Sequence, residues 1–531
     1  MAVGIMIGVL ALYVGVGLAL VKVIKTEDDF YTMGGRGSTV LIVGTLAATY
    51  LSATTLLGIA GQSYTEGPLV ISALGSFGAW VGTLLAVVYV GRKMKAYGCS
   101  TMPDFFDKRF NNKWVSVVAI IIMIVGLIGY GVIQFIGAGI VLSEVTGVDY
   151  RIIVIIFTIA MLVFTAVGGM YGIVVTDTMM FFTMLMISVV IAPILIGQAG
   201  FDQMKNLAET LPGYWSIAGT EDRHIGWSIS QFLVWILFFT CIPALVSRIF
   251  PAKNDFVILK VAIIGIFFAP FMQITVFLAA AAVRVLDPNI SDPDYAMVIG
   301  FLDYTPPAIA GIGLAALMAS IMSTASTLFV LVGFALSRDL YERLFDKKLN
   351  TKESLGAARI GQIIVGIVVC IITIIRPSAI YWISIYAGSI FAVGWLPTIV
   401  ASFEWRRMNS KAALASMILG VTAFVLVGEA IRFNWLPVPE GIDALMISLV
   451  ISVGALIVAA FLTKPNEYEL RYYDTMKSTS MAKITLNEFM KRPDGLAQIK
   501  RQYKQIYAIA IIMTIITIGV WGYLFFMLGF N

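Results

Sequence analysis

Histidine, cysteine and charged residues are scarce in this chain of 531 residues, and each scarcity excludes a class of function. The one histidine, His224, lies in a predicted loop, which excludes a histidine-based catalytic triad or metal site inside the apolar segments. The three cysteines, Cys99, Cys241 and Cys370, lack the paired spacing of a disulfide framework or zinc site. No phosphate loop, kinase signature or dinucleotide fingerprint is present. We therefore expect no enzyme activity, no ATPase domain and no organic cofactor.

The shortage of charge accompanies an excess of apolar residues. Charged residues make up 13% of the chain and hydrophobic residues 59%, whereas a soluble protein of this size is far more charged. A membrane crossing needs about 20 predominantly apolar residues. Fourteen such runs lie near residues 2–24, 39–64, 69–91, 114–143, 151–169, 172–198, 226–247, 256–284, 306–337, 356–375, 379–403, 411–431, 441–462 and 505–529. The first lacks the basic start and cleavage site of a signal peptide. The sequence therefore predicts an all-α polytopic membrane protein with about 14 transmembrane helices.

The distribution of Lys and Arg predicts the orientation of these helices. If the N-terminus lies outside, 30 of the 36 Lys and Arg residues fall in inside segments. Such an excess is typical of cytoplasmic loops, so both termini are predicted to lie outside a plasma or bacterial inner membrane. The net charge of +5 is explained by this bias and implies no nucleic-acid partner.

Two groups of hydroxyl side chains are unusual for membrane helices. The first surrounds "LAATYLSATTLLG" (46–58) and puts six hydroxyls into eleven residues, at Thr45, Thr49, Tyr50, Ser52, Thr54 and Thr55. The second, in "ASIMSTASTLF" (319–329), follows the i, i+3, i+4, i+7 spacing of one helical face, with Ser320, Ser323, Thr324 and Thr327. A single Ser or Thr commonly bonds to its own backbone or lets helices approach closely. Two clusters of this size predict a shared polar site instead.

Neutral hydroxyl and carbonyl oxygens suit a small hard cation, and few carboxylates lie nearby to form a divalent cage. Na⁺ is the natural candidate, while K⁺, or a proton carried by a carboxylate, remains open. Asp177 is a carboxylate within a predicted span, and such a residue is a functional hypothesis by default. The alternative is that Asp177 caps a helix at the interface or pairs with a cytoplasmic Arg.

Four separated motifs carry a resemblance that covers about residues 26–430. They are "EDDFYTMGGRG" (27–37), "GGMYGIVVTD" (168–177), "PALVSRIFPAKN" (243–254) and "ALMASIMSTASTLFVLVGFALSRDLY" (316–341). Together they resemble the sodium:solute symporter family, which includes bacterial proline, pantothenate, acetate and sialic acid carriers and animal glucose and iodide carriers. The last motif is the most specific, since the family's eighth core helix carries a Ser-Thr cluster followed by a basic-Asp exit.

The resemblance implies a 5+5 inverted-repeat core like that of the leucine transporter. The implied division is an extra N-terminal helix and cytoplasmic loop at 1–38, a first repeat at 39–198, an extracellular loop at 199–225, a second repeat at 226–403 and additional C-terminal helices at 404–531. It also implies that the protein imports its solute with Na⁺ by alternating access, and that it functions as a monomer in the lipid bilayer.

The family's sodium site lies where the broken first core helix meets the eighth. By alignment, the resemblance places it on the backbone carbonyls of Ala48, Leu51 and Ser320 and the hydroxyls of Ser323 and Thr324. Many relatives have Ala at the position of Ser320, but only its carbonyl is needed. Some members carry a second sodium site, which here corresponds to Asp177, Ser323, Ser326 and Thr327.

The solute is expected beside the break, against the first, second, third and sixth core helices. The candidate residues are Ser52, Thr54, Thr55, Tyr130, Gln134, Trp235 and Phe238, although Gln134 could equally form an interhelical hydrogen bond. Sugar carriers tend to have Asn and Tyr at the positions of Trp235 and Phe238, and proline carriers have Trp at the position of Thr54. These differences favour a small organic anion, such as a monocarboxylate or pantothenate-like compound, over a sugar or amino acid.

Two other classes of function stay open at this stage. A passive channel would need a continuous polar path, whereas the polar residues here cluster in two patches at mid-membrane. A membrane sensor would need a separate signalling partner, since no signalling domain is fused within these residues.

Overall fold

The computed structural model describes residues 1–20, 32–71, 75–341, 351–375, 379–439 and 441–528. Within these residues the secondary structure is helical, apart from one isolated bridge between Gly37 and Ala252. Apolar segments form helices because a bilayer offers no water to satisfy their backbone groups. Among the described residues, ten helices are long and apolar enough to cross a membrane, or up to twelve spans if each of two bent pairs counts as one. The predicted all-helical, multi-pass architecture is confirmed; the count of 14 remains a prediction.

The first half of the chain contains α1 (Ala2–Leu20), α2 (Thr39–Tyr50), α3 (Thr54–Glu66), α4 (Phe77–Leu85), α5 (Arg92–Ala96), α6 (Met102–Phe110), α7 (Lys113–Thr146), α8 (Tyr150–Met186), α9 (Ala192–Ala199) and α10 (Phe201–Thr210). The second half contains α11 (Ile225–Cys241), α12 (Pro243–Ile249), α13 (Asp255–Leu286), α14 (Ala296–Tyr304), α15 (Pro307–Phe334), α16 (Thr351–Ile375), α17 (Ile380–Gly394), α18 (Leu396–Glu404), α19 (Ser410–Arg432), α20 (Ala444–Leu462), α21 (Glu467–Ser478), α22 (Met481–Met490) and α23 (Gly495–Leu528). Residues 27–31 of the quoted motif 27–37 and residues 342–350 lie outside the described residues.

Two membrane helices are broken. The axis bends by 53° between α2 and α3 and by 45° between α11 and α12. In the second pair Ile242 has an extended backbone and precedes Pro243, a residue that cannot continue the preceding hydrogen-bond ladder. In the first pair Leu51 is extended, with φ −84° and ψ 99°. These two breaks leave backbone polar groups at mid-helix that need other partners.

Helix α15 lies at the centre of the molecule, and its apolar window is 100% buried. It packs against α1, α2, α7, α8 and α16. By contrast, the buried share of the apolar window is only 17% in α1, 22% in α19 and 6% in α23. An apolar surface of this kind suits contact with lipid, so the polar residues of α15 are shielded from both lipid and water.

The segment 463–504 forms helices α21 and α22 and the start of α23. The guanidinium of Arg109 in α6 is fully buried beneath it. Arg109 donates to the carbonyls of Glu469 (3.0 Å) and Met408 (3.1 Å). Burial lowers the pKa of Arg109 to about 10, so the side chain is still charged at neutral pH. This part of the chain therefore belongs to the folded body.

Candidate functional site

The break between α2 and α3 redirects backbone hydrogen bonds. The N–H of Ala53 donates to Oε1 of Gln134 on α7 (3.1 Å), and the N–H groups of Thr55 and Leu56 both donate to the Ser52 carbonyl (3.0 Å each). In an unbroken helix the N–H groups of residues 53 and 55 would donate to the carbonyls of residues 49 and 51. The Leu51 carbonyl thus loses its usual donor at a buried position.

The hydroxyl cluster of α15 divides into bonded and unbonded groups. Ser320 donates to the Leu317 carbonyl (2.7 Å), while Ser326 (3.0 Å) and Thr327 (2.8 Å) both donate to the Ser323 carbonyl. In the described part of the chain, the hydroxyls of Ser323 and Thr324 have no hydrogen-bond partner although both residues are 0% exposed. Leaving a buried hydroxyl unpaired costs about 1–3 kcal/mol. These two are the hydroxyls on which the family resemblance places sodium.

Asp177 of α8 lies between α2 and α15 and is buried. Its Oδ2 accepts from the Thr45 hydroxyl (2.7 Å) and pairs with Nη2 of Arg248 (2.9 Å). Its Oδ1 has no hydrogen-bond partner among the described residues, and the Ser323 hydroxyl is its neighbour. The predicted alternative, an ion pair with an Arg, is therefore observed. The same carboxylate still keeps one oxygen available.

Arg248 is the residue of this candidate site that sequence reasoning most clearly missed. It ends α12, is 0% exposed, and donates from Nε to the Thr49 hydroxyl (2.9 Å) and from Nη2 to the Thr327 hydroxyl. Its guanidinium thus joins both halves of the chain, through α2, α8, α12 and α15. The motif "PALVSRIFPAKN" contains it, but no local pattern marks it as buried.

A cavity lies beside the break. Its lining is Ser52, Thr54, Thr55, Ile59, Val70, Gly75, Ser76, Ala79, Tyr130, Trp227, Gln231, Trp235, Phe239, Gln273 and Tyr381, with no charged residue among those that the structure describes. Five predicted solute residues line it, namely Ser52, Thr54, Thr55, Tyr130 and Trp235. Gln134 and Phe238 are not in the lining; Gln134 holds the backbone of the break instead.

Two hydroxyls of this lining stand out. The Ser52 hydroxyl is bonded to Tyr130 (3.1 Å), but those of Thr54 and Ser76 are buried without a hydrogen-bond partner in the described residues. Ser76, Gln231, Gln273 and Tyr381 were not predicted. A glutamine inside an apolar run is a detectable signal, the same one that selected Gln134, whereas nothing in the sequence distinguishes Ser76 or Tyr381.

An ion pair lies next to the cavity where α3 ends. Glu66 accepts two hydrogen bonds from Arg223, at 2.7 and 2.9 Å, with the two side chains 7% and 17% exposed. Arg223 also pairs with the exposed Glu221 at 2.6 Å. Its guanidinium lies 4.5 Å from the ring centroid of Trp227, a cavity residue. The Glu66–Arg223 pair thus lies beside the cavity.

Comparison with known proteins gives a consistent result. Residues 30–420 match the model of the sodium:solute symporter family. The sodium/pantothenate symporter of Escherichia coli (strain K12) is 26% identical over 433 residues, covering 79% of this chain and 88% of the relative. The osmoregulated proline transporter OpuE of Bacillus subtilis (strain 168) is 26% identical over 477 residues, covering 85% and 94%.

Two solved structures share the fold. A Na⁺-coupled sialic acid symporter in its substrate-bound outward-open state superimposes with a TM-score of 0.74 at 19% identity, covering 87% of this chain and 98% of that one. The inward-facing conformation of Mhp1 gives a TM-score of 0.51 at 13% identity, covering 83% and 95%.

Proposed function

The chain belongs to the sodium:solute symporter family, and from that premise we propose that it is a sodium-coupled symporter that imports a small organic solute by alternating access. Moving a solute makes and breaks no covalent bond, so the protein is not an enzyme. The observation that carries the proposal is the pair of buried, unpartnered hydroxyls on Ser323 and Thr324, opposite the break that frees the Leu51 carbonyl.

The proposed sodium site consists of the carbonyls of Ala48, Leu51 and Ser320 and the hydroxyls of Ser323 and Thr324. Oxygen ligands without a charged partner suit a monovalent ion. A second Na⁺ is proposed beside the free Oδ1 of Asp177, with Ser323, Ser326 and Thr327. Each inward Na⁺ gains roughly 2.3 kcal/mol per 100 mV of membrane potential, so the ion count determines how strongly the solute is concentrated.

Replacing Ser323 or Thr324 with Ala is expected to raise the Na⁺ concentration for half-maximal uptake by about tenfold, because each change removes one ligand, worth roughly 1.4 kcal/mol. The measurement is uptake at varied NaCl with choline chloride keeping ionic strength constant. Ser320→Ala is the matched control, since only the carbonyl of Ser320 is needed and its hydroxyl bonds to Leu317. An equal shift in all three variants would place the ion elsewhere.

The proposed solute is an organic anion such as a monocarboxylate or pantothenate-like compound. The cavity offers no Lys or Arg among the described residues, but the positive end of the α3 dipole and the free hydroxyls of Thr54 and Ser76 can hold a carboxylate. Aromatic walls, including Trp235, suit an apolar body. A hydroxyl-rich sugar would need more partners than this lining provides, and an amino acid is the alternative within the family.

Thr54→Val and Ser76→Ala are each expected to raise the KM for the solute by about tenfold, because each removes a hydroxyl that has no hydrogen-bond partner among the described residues. The Na⁺ dependence measured without solute should stay near that of the parent. Thr83→Val serves as the control, since its hydroxyl bonds to the Ala79 carbonyl on α4. Parental KM values in both cavity variants would remove these residues from the site.

Proteoliposomes with an inward Na⁺ gradient test the function itself. Labelled acetate, pantothenate, proline and glucose should be offered in turn, each with a matched K⁺ gradient. We expect one compound to accumulate above its outside concentration only with Na⁺. Uptake that stops at equal concentrations would favour a channel, and equal uptake with K⁺ would contradict sodium coupling.

The finer architecture is also part of the proposal. We propose fourteen spans, with both termini outside a plasma or bacterial inner membrane and a monomer as the functional unit. The two repeats are residues 39–198 and 226–403, and the loop 199–225 between them lies outside. Residues 1–38 and 404–531 are additions to this core. The breaks support this division, because each proposed repeat begins with a bent helix pair. With this orientation the Glu66–Arg223 pair is outer and the Asp177–Arg248 pair is inner.

A further inference from the structure

Gln273 connects the two halves of the broken helix. It lies in α13 and is 1% exposed. Its Oε1 accepts from the Tyr50 hydroxyl at 2.8 Å, and its Nε2 donates to the Thr55 hydroxyl at 3.4 Å. Tyr50 is the last residue of α2, and Thr55 lies in the first turn of α3. One side-chain amide therefore spans the break.

The orientation of this amide follows from its third partner. Nε1 of Trp80 on α4 lies 2.6 Å from Oε1 of Gln273. An indole N–H can only donate, so the atom that faces it must be the amide oxygen. The amide NH₂ is then directed to Thr55, and rotating it would lose the bonds from both Tyr50 and Trp80. Gln273 is held in one orientation between four elements.

Gln273 also lies between the two proposed binding sites. Tyr50 directly precedes Leu51, whose carbonyl is a proposed sodium ligand. Thr55 and Gln273 themselves line the cavity. We propose that Gln273 is a positioning residue that couples sodium binding to solute affinity. This inference rests on the proposed symport function and adds a residue that the sequence analysis did not select.

The coupling works through the positions of Tyr50, Gln273 and Thr55 across the break. Na⁺ bound at the Leu51 carbonyl fixes the end of α2 and hence the Tyr50 hydroxyl. That hydroxyl holds the amide oxygen of Gln273, and the amide nitrogen holds Thr55 in the shape that faces the solute. By linkage, the solute must raise Na⁺ affinity by the same factor. A residue that only stabilised the fold would not change this factor.

The test uses Na⁺ alone, so it needs no identified solute. Thr54→Cys is introduced after Cys99, Cys241 and Cys370 have been replaced with Ala, and its alkylation by a membrane-impermeant maleimide is timed in NaCl and in choline chloride. Tryptophan fluorescence reports Na⁺ binding separately. We expect Na⁺ to change the alkylation rate about fivefold or more in this background. Gln273→Leu should bring that ratio to about one, with the fluorescence still saturating.

Matched variants distinguish loss of the Gln273 hydrogen bonds from general destabilisation of the fold. Tyr50→Phe cuts the bond to α2 and should abolish the response as Gln273→Leu does, even if Gln273→Leu folds poorly. Trp80→Phe leaves the Tyr50–Gln273–Thr55 hydrogen bonds in place and should preserve the response of the alkylation rate to Na⁺. Gln231 is a second buried glutamine of the cavity and accepts a hydrogen bond from Tyr381 (2.9 Å). Gln231→Leu should also preserve the response to Na⁺.

Two outcomes would overturn the inference about Gln273 alone, and a third would also overturn the proposed sodium coupling. The first is a full response in Gln273→Leu, and the second is an equal loss in Tyr50→Phe and Trp80→Phe. If the background shows neither a rate change nor a fluorescence change with Na⁺, the proposed sodium coupling fails and the inference fails with it. The fluorescence control therefore distinguishes failure of the link from failure of the proposed function.

Discussion

Arg248→Gln and Asp177→Asn are each expected to reduce uptake to background and to lower the melting temperature of the purified protein. Each change leaves the other charge buried without its partner, which costs roughly 3–5 kcal/mol. Both side chains are essentially unexposed, so water cannot replace the lost partner. Uptake in proteoliposomes and thermal unfolding in detergent measure the two effects.

The double variant Asp177→Asn with Arg248→Gln should recover most of the stability, because no charge is then left unpaired. If the second sodium site is used, this variant should transport with one Na⁺ fewer per solute, which reversal potentials measure. Arg406→Gln provides the control, since Arg406 and Asp474 are 61% and 55% exposed and such a pair contributes less than about 1 kcal/mol. Single variants at 177 and 248 that behave like Arg406→Gln would show that the buried pair is needed neither for stability nor for transport.

Glu66→Gln and Arg223→Gln are expected to abolish concentrative uptake while leaving Na⁺ binding in place. The pair closes the proposed outer side of the cavity and is mostly buried, so losing it should shift the population towards the outward-open state by about tenfold or more. The measurement is alkylation of Thr54→Cys by an impermeant reagent added outside, in the cysteine-replaced background.

Glu221→Gln is the matched control for the outer pair. Glu221 contacts the same guanidinium but is 59% exposed, so its loss should change the alkylation rate by less than about twofold. If Glu66→Gln leaves the cavity as protected as Glu221→Gln does, the Glu66–Arg223 pair is not a gate.

Sequence periodicity was sufficient for features that depend on one helix alone. Apolar run length predicted the multi-pass helical body, and the spacing in α15 grouped Ser323 with Thr324, the two hydroxyls that prove to be buried and unpartnered. Both features follow from how a single helix satisfies its backbone and orients its faces.

Features made by two distant segments could not be predicted in this way. Glu66 and Arg223 are 157 residues apart, and nothing local to either indicates that they meet. Arg248 resembles any rim cation in sequence, and only the packing of α12 against α2, α8 and α15 buries it. Gln134 was a sound choice as a polar residue at mid-span, yet the periodicity of α7 cannot show that its amide faces the unwound backbone of the neighbouring helix.

The buried Arg109 has a consequence for how the chain is made. Its partner carbonyl at Glu469 lies 360 residues later, and at synthesis rates of about 5–20 residues per second that partner leaves the ribosome roughly 20–70 s after Arg109 does. Until then the guanidinium must stay hydrated at the membrane surface, and α6 cannot dock in its final place. Final packing of α6 therefore requires that α21 has been synthesised. A chain cut short after α20 should insert into the membrane and still be recognised as unfinished by cellular proteases.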